Sequence, residues 1–174
     1  MRRVIYSVAA SLDGYIAGPD GDFDWIPMDP DIDWDAFISR FDTMLSGRKT
    51  YELMASGQSG ATLPELETYV FSRTLDQADH PSVTIVSENA ASAVQQLREA
   101  EGKDIWLMGG GILFSSLLEA ELVDAVEIGL VPIILGEGLQ LLPPTRCRAH
   151  LTLKDTQTYP SGIVLLSYDV ERDS

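Results

Sequence analysis

The amino-acid sequence predicts an α/β fold whose mainly parallel sheet ends in an antiparallel hairpin. Short apolar, β-rich runs alternate with segments of helical period, and glycines often mark the passage from one to the other. The last two apolar runs depart from this rhythm, because Pro160-Ser161-Gly162 rather than a helix joins them. With 174 residues and 45% apolar composition, the chain has the size of one domain with a substantial core.

Residues 3–10 form the first apolar strand. Residues 11–33 read as a long loop, too apolar at Tyr15, Ile16, Phe23, Trp25 and Ile26 for disorder, and are expected to fold over something rather than hang in solvent. Residues 34–41 carry Trp34, Phe37, Ile38 and Phe41 at helical spacing, which predicts the first helix. Residues 43–46 are a short buried strand ending at Gly47, and a second helix starts near Arg48. Residues 68–71 and 83–86 read as short strands, and residues 90–101 as an amphipathic helix with Val94 and Leu97 inward. The alternation then repeats: strand 104–108, a turn at Gly109-Gly110-Gly111, helix 112–121, and a long strand 123–134 expected to open another crossover. Residues 149–159 and 163–170 alternate in polarity and make the hairpin at an antiparallel edge.

A net charge of −15 repels phosphate backbones and anionic lipid, so the expected partner is a small molecule, with neither nucleic acid nor membrane. No run of about 18 apolar residues appears and the N-terminus lacks a signal-like pattern, which leads to the expectation of a soluble, cytoplasmic protein. The single Cys147 excludes an intramolecular disulfide, and with only His80 and His150 beside it a Cys/His zinc site is not expected. Asp20, Asp22 and Asp24 have the spacing of a calcium loop with Asp31 at the twelfth position. Trp25 stands where that loop needs glycine, so no metal is expected. Neither a G-x-S-x-G elbow nor a Ser-His or Cys-His pair supports nucleophilic hydrolysis.

Against this acidic background, cations at strand ends stand out. Gly47-Arg48-Lys49-Thr50 places two cations at a helix start, where the helix already carries partial positive charge. That order costs stability unless an anion such as phosphate lies between them and the backbone, or both side chains simply point into solvent. Ser72-Arg73-Thr74 sets hydroxyl, guanidinium and hydroxyl at another strand end. It is a second anion-binding candidate, or a loop in which Arg73 pairs with Asp76 or Asp79. Residues 106–111, Trp-Leu-Met-Gly-Gly-Gly, run an apolar strand into three glycines and then a helix, which lets backbone approach a pyrophosphate without a Cβ in the way. Phe114 occupies the place of the third Rossmann glycine, so the dinucleotide fingerprint fails, and no Lys-Ser/Thr pair completes a Walker loop. Asp29, Asp31, Asp33 and Asp35 supply a crowd of acids ahead of the first helix, one of which can hold a substrate nitrogen or give a proton.

Taken in order, Ser11-Leu12-Asp13-Gly14-Tyr15-Ile16-Ala17, Gly47-Arg48-Lys49-Thr50, Ser72-Arg73 and Gly109-Gly110-Gly111 resemble the dihydrofolate reductase-like superfamily, and within it the stand-alone bacterial proteins similar to the RibD C-terminal reductase domain. The resemblance spans nearly the whole chain. It implies a three-layer α/β/α sandwich, NADPH lying across the strand ends, and a homodimer. Arg48, Lys49 and Thr50, following Gly47, would hold the cofactor phosphates, Ser72 and Arg73 the adenosine 2′-phosphate, and Ser87 the adenine pocket. Met108, Gly109, Gly110, Gly111, Ile112 and Leu113 would cover the pyrophosphate. Ala9 and Ile16 would border the nicotinamide, with Asp13, Gly14 and Trp25 at the substrate. The acid that serves the substrate ring in this superfamily would be Asp31, Asp33 or Asp35. The implied activity is NADPH-dependent hydride transfer to a small heterocycle, as in the 5-amino-6-(5-phosphoribosylamino)uracil reductase of riboflavin biosynthesis. Dihydrofolate reduction and NADP binding without turnover are the alternatives. No second basic cluster of the kind a substrate ribose phosphate needs is evident beyond the residues assigned to the cofactor.

Overall fold

The computed structural model describes residues 1–56, 64–145 and 147–171. In chain order they form β1 (Val4–Ser11), β2 (Tyr15–Ala17), α1 (Trp34–Ile38), β3 (Phe41–Gly47), α2 (Arg48–Ala55), β4 (Glu67–Phe71), β5 (Thr84–Val86), α3 (Ala90–Glu99), β6 (Asp104–Gly109), α4 (Gly111–Glu119), β7 (Ala125–Val131), β8 (Leu139–Gln140), β9 (Leu151–Thr158) and β10 (Val164–Val170). Eight strands make one sheet in the order β5-β4-β3-β6-β1-β7-β10-β9. The strands from β5 to β7 run parallel, and β10 is antiparallel to both β7 and β9. The parallel sheet with its antiparallel C-terminal edge is therefore as expected.

Strand alternation sorts side chains to two faces. Val4 and Tyr6 of β1, Ile105 and Leu107 of β6, and Val126 and Ile128 of β7 meet Val94 of α3 and Leu113, Phe114, Leu117 and Leu118 of α4 in the larger core. Tyr6 and Phe114 stack there with ring centroids 3.8 Å apart. On the other face Ile5, Met44 and Trp106 pack with Phe41, against Phe37 of α1. A smaller cluster joins Tyr51 of α2 to Val70 and Val83.

Three expectations need correction. The first helix ends at Ile38, not Phe41, which opens β3. Phe41 mimics a helical neighbour because its ring packs edge-on against Phe37 with centroids 5.2 Å apart, the contact that an i+4 residue would also make. The long loop after β1 contains β2, which pairs with β8 in a separate two-stranded sheet. The strand expected over 123–134 stops at Val131, where Pro132 has no N–H to continue the ladder, and no crossover helix follows. Instead the chain passes through β8 and returns as the β9–β10 hairpin.

Candidate active site

Parallel strands in an α/β sheet deliver their following loops to the same edge, and ligands of such sheets collect there. Here the turns after β3 and β6 meet at that edge. Gly47 caps α2 and Gly110 caps α4, and neither helix has a side-chain cap or an acid in its first turn. Their free N–H groups thus face the edge unneutralised. The two turns approach so closely that a Cβ on Gly47 would lie 3.3 Å from Gly110 N, and Cβ atoms on Gly109 or Gly110 would each lie 3.7 Å from Thr50 Oγ1. On the other side of the second turn, a Cβ on Gly111 would press to 2.7 Å of Gln140 O and of Pro143 Cδ. Glycine is thus required at Gly111 for packing, whereas at Gly47 its absent side chain leaves a small backbone-lined cradle.

Next to this cradle, at the ends of β4 and β5, lies a shallow depression of about 500 Å³ lined by Phe71, Ser72, Arg73, Val86, Ser87, Glu88, Asn89 and Ala90. It brings together Ser72, Arg73 and Ser87. Ser72 Oγ accepts from Thr74 N at 3.2 Å and Leu75 N at 3.1 Å, so it shapes the turn that presents Arg73. Arg73 is exposed and forms no ion pair with any described carboxylate, while Asp76 instead caps the short 3₁₀ turn Gln77–Asp79.

The larger feature is a cleft of about 950 Å³ on the face of the sheet that carries α1. Its floor is Ser7, Val8 and Ala9 of β1, Trp106 and Met108 of β6, Gly129 of β7 and Leu165 of β10. Its walls come from Trp34 and Phe37 of α1, Lys49, Thr50 and Leu53 of α2, and Ile16, Phe23 and Ile26 of the long loop, which does fold over the cleft. Trp106 is fixed by a 2.9 Å bond from its Nε1 to Ser7 O. Tyr159 also lines the cleft, and burial, aided by the Asp29 and Asp155 carboxylates, pushes its phenol above the usual tyrosine range.

Ala9, Ile16, Asp31, Asp33, Lys49, Thr50 and Met108 of the expected set line this cleft. Other members lie elsewhere for visible reasons. Asp13 accepts from Ser11 Oγ at 2.7 Å, Leu135 N at 3.1 Å and Gly136 N at 2.7 Å, so its carboxylate pins the loop after β7 and is not turned to a substrate. The Ser11 hydroxyl and these N–H groups hold it below the usual carboxylate range. Gly14, at φ +86°, makes the accompanying turn. Trp25 donates to Asp22 O at 3.2 Å and stays outside the cleft, between its lining neighbours Phe23 and Ile26. Arg48 pairs with Glu52 at 3.1 Å on the surface of α2. Ile112 is 77% exposed at the start of α4, while Leu113 is buried in the larger core and is not available to cover a pyrophosphate.

The acids separate as well. Asp33 caps α1 by accepting from Ala36 N at 2.9 Å, and Asp35 is exposed outside the cleft lining. Asp29 is buried and receives Asp31 N and Ser161 N, both at 2.9 Å, which ties the long loop to the hairpin turn. Asp31 lines the cleft, and its carboxylate has no hydrogen-bond or ion-pair partner among the described residues. Asp20, Asp22 and Asp24 form no metal-binding group, nor do any three His, Cys, Asp or Glu side chains among the described residues. Among the described residues no helix is long and apolar enough to cross a membrane.

Two residues escaped the sequence reading. Arg40, just after α1, lines the cleft and bonds Glu127 of β7, which is 8% exposed. Only tertiary structure joins them, since they stand 87 positions apart in sequence.

Comparison with known proteins agrees with this architecture. The family model of the RibD C-terminal domain matches residues 2–165. The Bacillus subtilis (strain 168) protein YyaP, itself uncharacterised, is 35% identical over 178 residues, covering 96% of this chain and 94% of its own. The structure of a protein of Shewanella sp. PV-4 named for riboflavin biosynthesis superposes with a TM-score of 0.83 at 25% identity, covering 99% of this chain and 100% of that one. Dihydrofolate reductase from Enterococcus faecalis, in complex with NADP(H), superposes with a TM-score of 0.68 at 17% identity, covering 98% of this chain and 97% of that one, and that likeness shows the shared fold. The chain belongs to the RibD C-terminal domain family, a reductase-type family on the dihydrofolate reductase-like fold.

Proposed function

We propose that the protein is an NADPH-dependent reductase that delivers hydride to a small heterocyclic substrate in the cleft beside β1. The observation that carries this reading is the continuous edge formed by the Gly47/Gly110 cradle, Thr50, and the depression holding Ser72, Arg73 and Ser87. A cradle that a Cβ would narrow, two helix starts without side-chain caps and a guanidinium with no ion-pair partner among the described residues suit an extended dinucleotide with an extra phosphate. When bound, the cofactor supplies the hydride. The chain's own work is to hold the ring flat between the cleft floor and the aromatic wall of Trp34 and Phe37, to exclude water, and to provide a proton to the ring nitrogen of the reduced double bond. Asp31 is our choice of acid for that proton, because both oxygens of Asp29 and one of Asp33 take structural hydrogen bonds whereas the Asp31 carboxylate at the cleft has no partner among the described residues.

Thermal unfolding with NADPH, with NADH and without ligand, on the native chain and on Arg73→Ala, tests the reading. Ligand at 100 times its Kd stabilises by about 2.7 kcal/mol. The expected result is a larger rise with NADPH than with NADH, with the NADPH advantage lost in Arg73→Ala. No rise with either cofactor would refute the proposal. Binding without NADPH consumption across a panel of heterocycles would identify an NADP-binding protein without turnover.

A further inference from the structure

We infer that Arg40, held in place by Glu127, selects the ligand of the cleft and that this ligand presents an uncharged carbonyl edge to it. The inference depends on the reductase reading only in calling that ligand a substrate, since the preference belongs to the cleft.

Glu127 sits on the cleft side of the sheet, in register with Ser7 of β1 and Ser167 of β10. A carboxylate this buried is strongly unfavourable unless it is paired. Arg40 pairs it in two-pronged fashion, Nη1 to Oε2 at 3.1 Å and Nη2 to Oε1 at 2.6 Å. The guanidinium carbon also lies 5.7 Å from the ring centre of Phe37 and 5.1 Å from that of Phe41. The cation is therefore fixed in position before any ligand arrives. A purely structural pair would bury both members, yet the Arg40 side chain is 40% exposed and lines the cleft. A guanidinium has five N–H donors, and the bonds to Glu127 use two, so the remaining donors have no acceptor among the described side chains.

The charge balance then decides what kind of acceptor fits. Glu127 neutralises Arg40 and Arg48 neutralises Glu52, which leaves Lys49 against Asp20, Asp31 and Asp33 along the cleft. A phosphate or carboxylate tail meets net repulsion there, whereas the carbonyl oxygens of a lactam or imide ring accept from Arg40 without that cost. A ring edge carrying amino groups sets donors against donors. Arg40 is thus a binding residue and Glu127 a positioning residue that acts through it.

The test titrates three pteridines without cofactor in mildly acidic buffer, following quenching of tryptophan fluorescence, since Trp34 and Trp106 line the cleft. Lumazine is the neutral imide, diaminopteridine replaces its carbonyls with amino groups, and carboxylumazine adds a carboxylate. A hydrogen bond to a charged group changes affinity by roughly tenfold or more, so lumazine should bind at least about 10-fold tighter than either relative. Arg40→Met/Glu127→Gln removes the cation without leaving a buried unpaired carboxylate, and should abolish the preference for lumazine over diaminopteridine. Glu127→Gln alone leaves Arg40 unneutralised, so carboxylumazine should gain on lumazine, a change that a packing role would not produce. Equal or tighter binding of diaminopteridine or carboxylumazine by the native chain, a preference that survives in the double variant, or no ring binding at all would overturn the inference. An NADPH-induced thermal shift measured on the same samples separates the two readings. A shift without ring preference refutes this inference alone, and ring preference without a shift refutes the cofactor assignment alone.

Discussion

Replacing Gly47 by alanine should separate the needs of the proposed cofactor edge from those of the fold. Gly47 has φ −76° and ψ 160°, an extended conformation that alanine adopts without strain. The new Cβ would lie 3.3 Å from Gly110 N and 3.7 Å from Gly109 O, a few tenths of an ångström inside ordinary contact with the first atom only. A small separation of the two turns relieves that contact, at a cost near the low end for overpacking, about 1 kcal/mol. For a chain of this length that corresponds to roughly 2–4 °C in melting temperature. The same methyl group occupies the cradle that phosphate oxygens would enter, so NADPH affinity should fall by more than about tenfold, or 1.4 kcal/mol. Calorimetric titration of NADPH alongside thermal unfolding measures both quantities. Unchanged NADPH affinity in a folded Gly47→Ala protein would refute the cradle, and a collapse in stability would show that Gly47 serves packing instead.

Two further perturbations test the fold that positions the site. Leu117 and Ile112 share α4, yet Leu117 is 1% exposed and Ile112 77%. Leu117→Ala should destabilise by about 3 kcal/mol through the cavity it leaves, and Ile112→Ala by no more than about 0.5 kcal/mol. Similar urea midpoints for the two variants would contradict the packing of α4 on the sheet. The Asp29 carboxyl is held below the usual carboxylate range by the Ser161 hydroxyl and the Asp31 and Ser161 N–H groups. A depressed folded pKa contributes stability above the unfolded value, about 3.9, that is lost as pH falls through the folded one. Asp29→Asn should therefore be less stable than the native chain at neutral pH, and the gap should narrow as urea midpoints are taken below about pH 4. A gap independent of pH would mean that the ionised carboxylate is not what ties the long loop to the hairpin.

Local period and punctuation carried most of the architecture. The apolar runs that became β1, β3, β4, β5 and β6, the helix starts at Arg48 and Ala90, and the hairpin at Pro160-Ser161-Gly162 are set by residues within one element and its flanks. The glycine turns and cations of the edge proposed for the cofactor are likewise local, because a glycine followed by cations or by a helix is a contiguous signal. It weakened where a side chain had a tertiary partner, as at Phe41, whose helical spacing to Phe37 comes from ring packing across the α1–β3 turn.

The sequence by itself determined that a parallel sheet would place glycine turns and cations at its strand ends, since those features are local in the chain and need only backbone chemistry. Tertiary structure alone decided which of the neighbouring acids does what. Asp13 was drawn to Leu135 and Gly136 and Asp29 to Ser161, while Asp33 caps the start of α1 from the cleft rim and Asp31 lines the cleft with no partner among the described residues. It alone also joined Arg40 to Glu127. A carboxylate or guanidinium reads the same in sequence whether it meets solvent, a backbone N–H or a ligand, because its role depends on partners that folding brings from far along the chain.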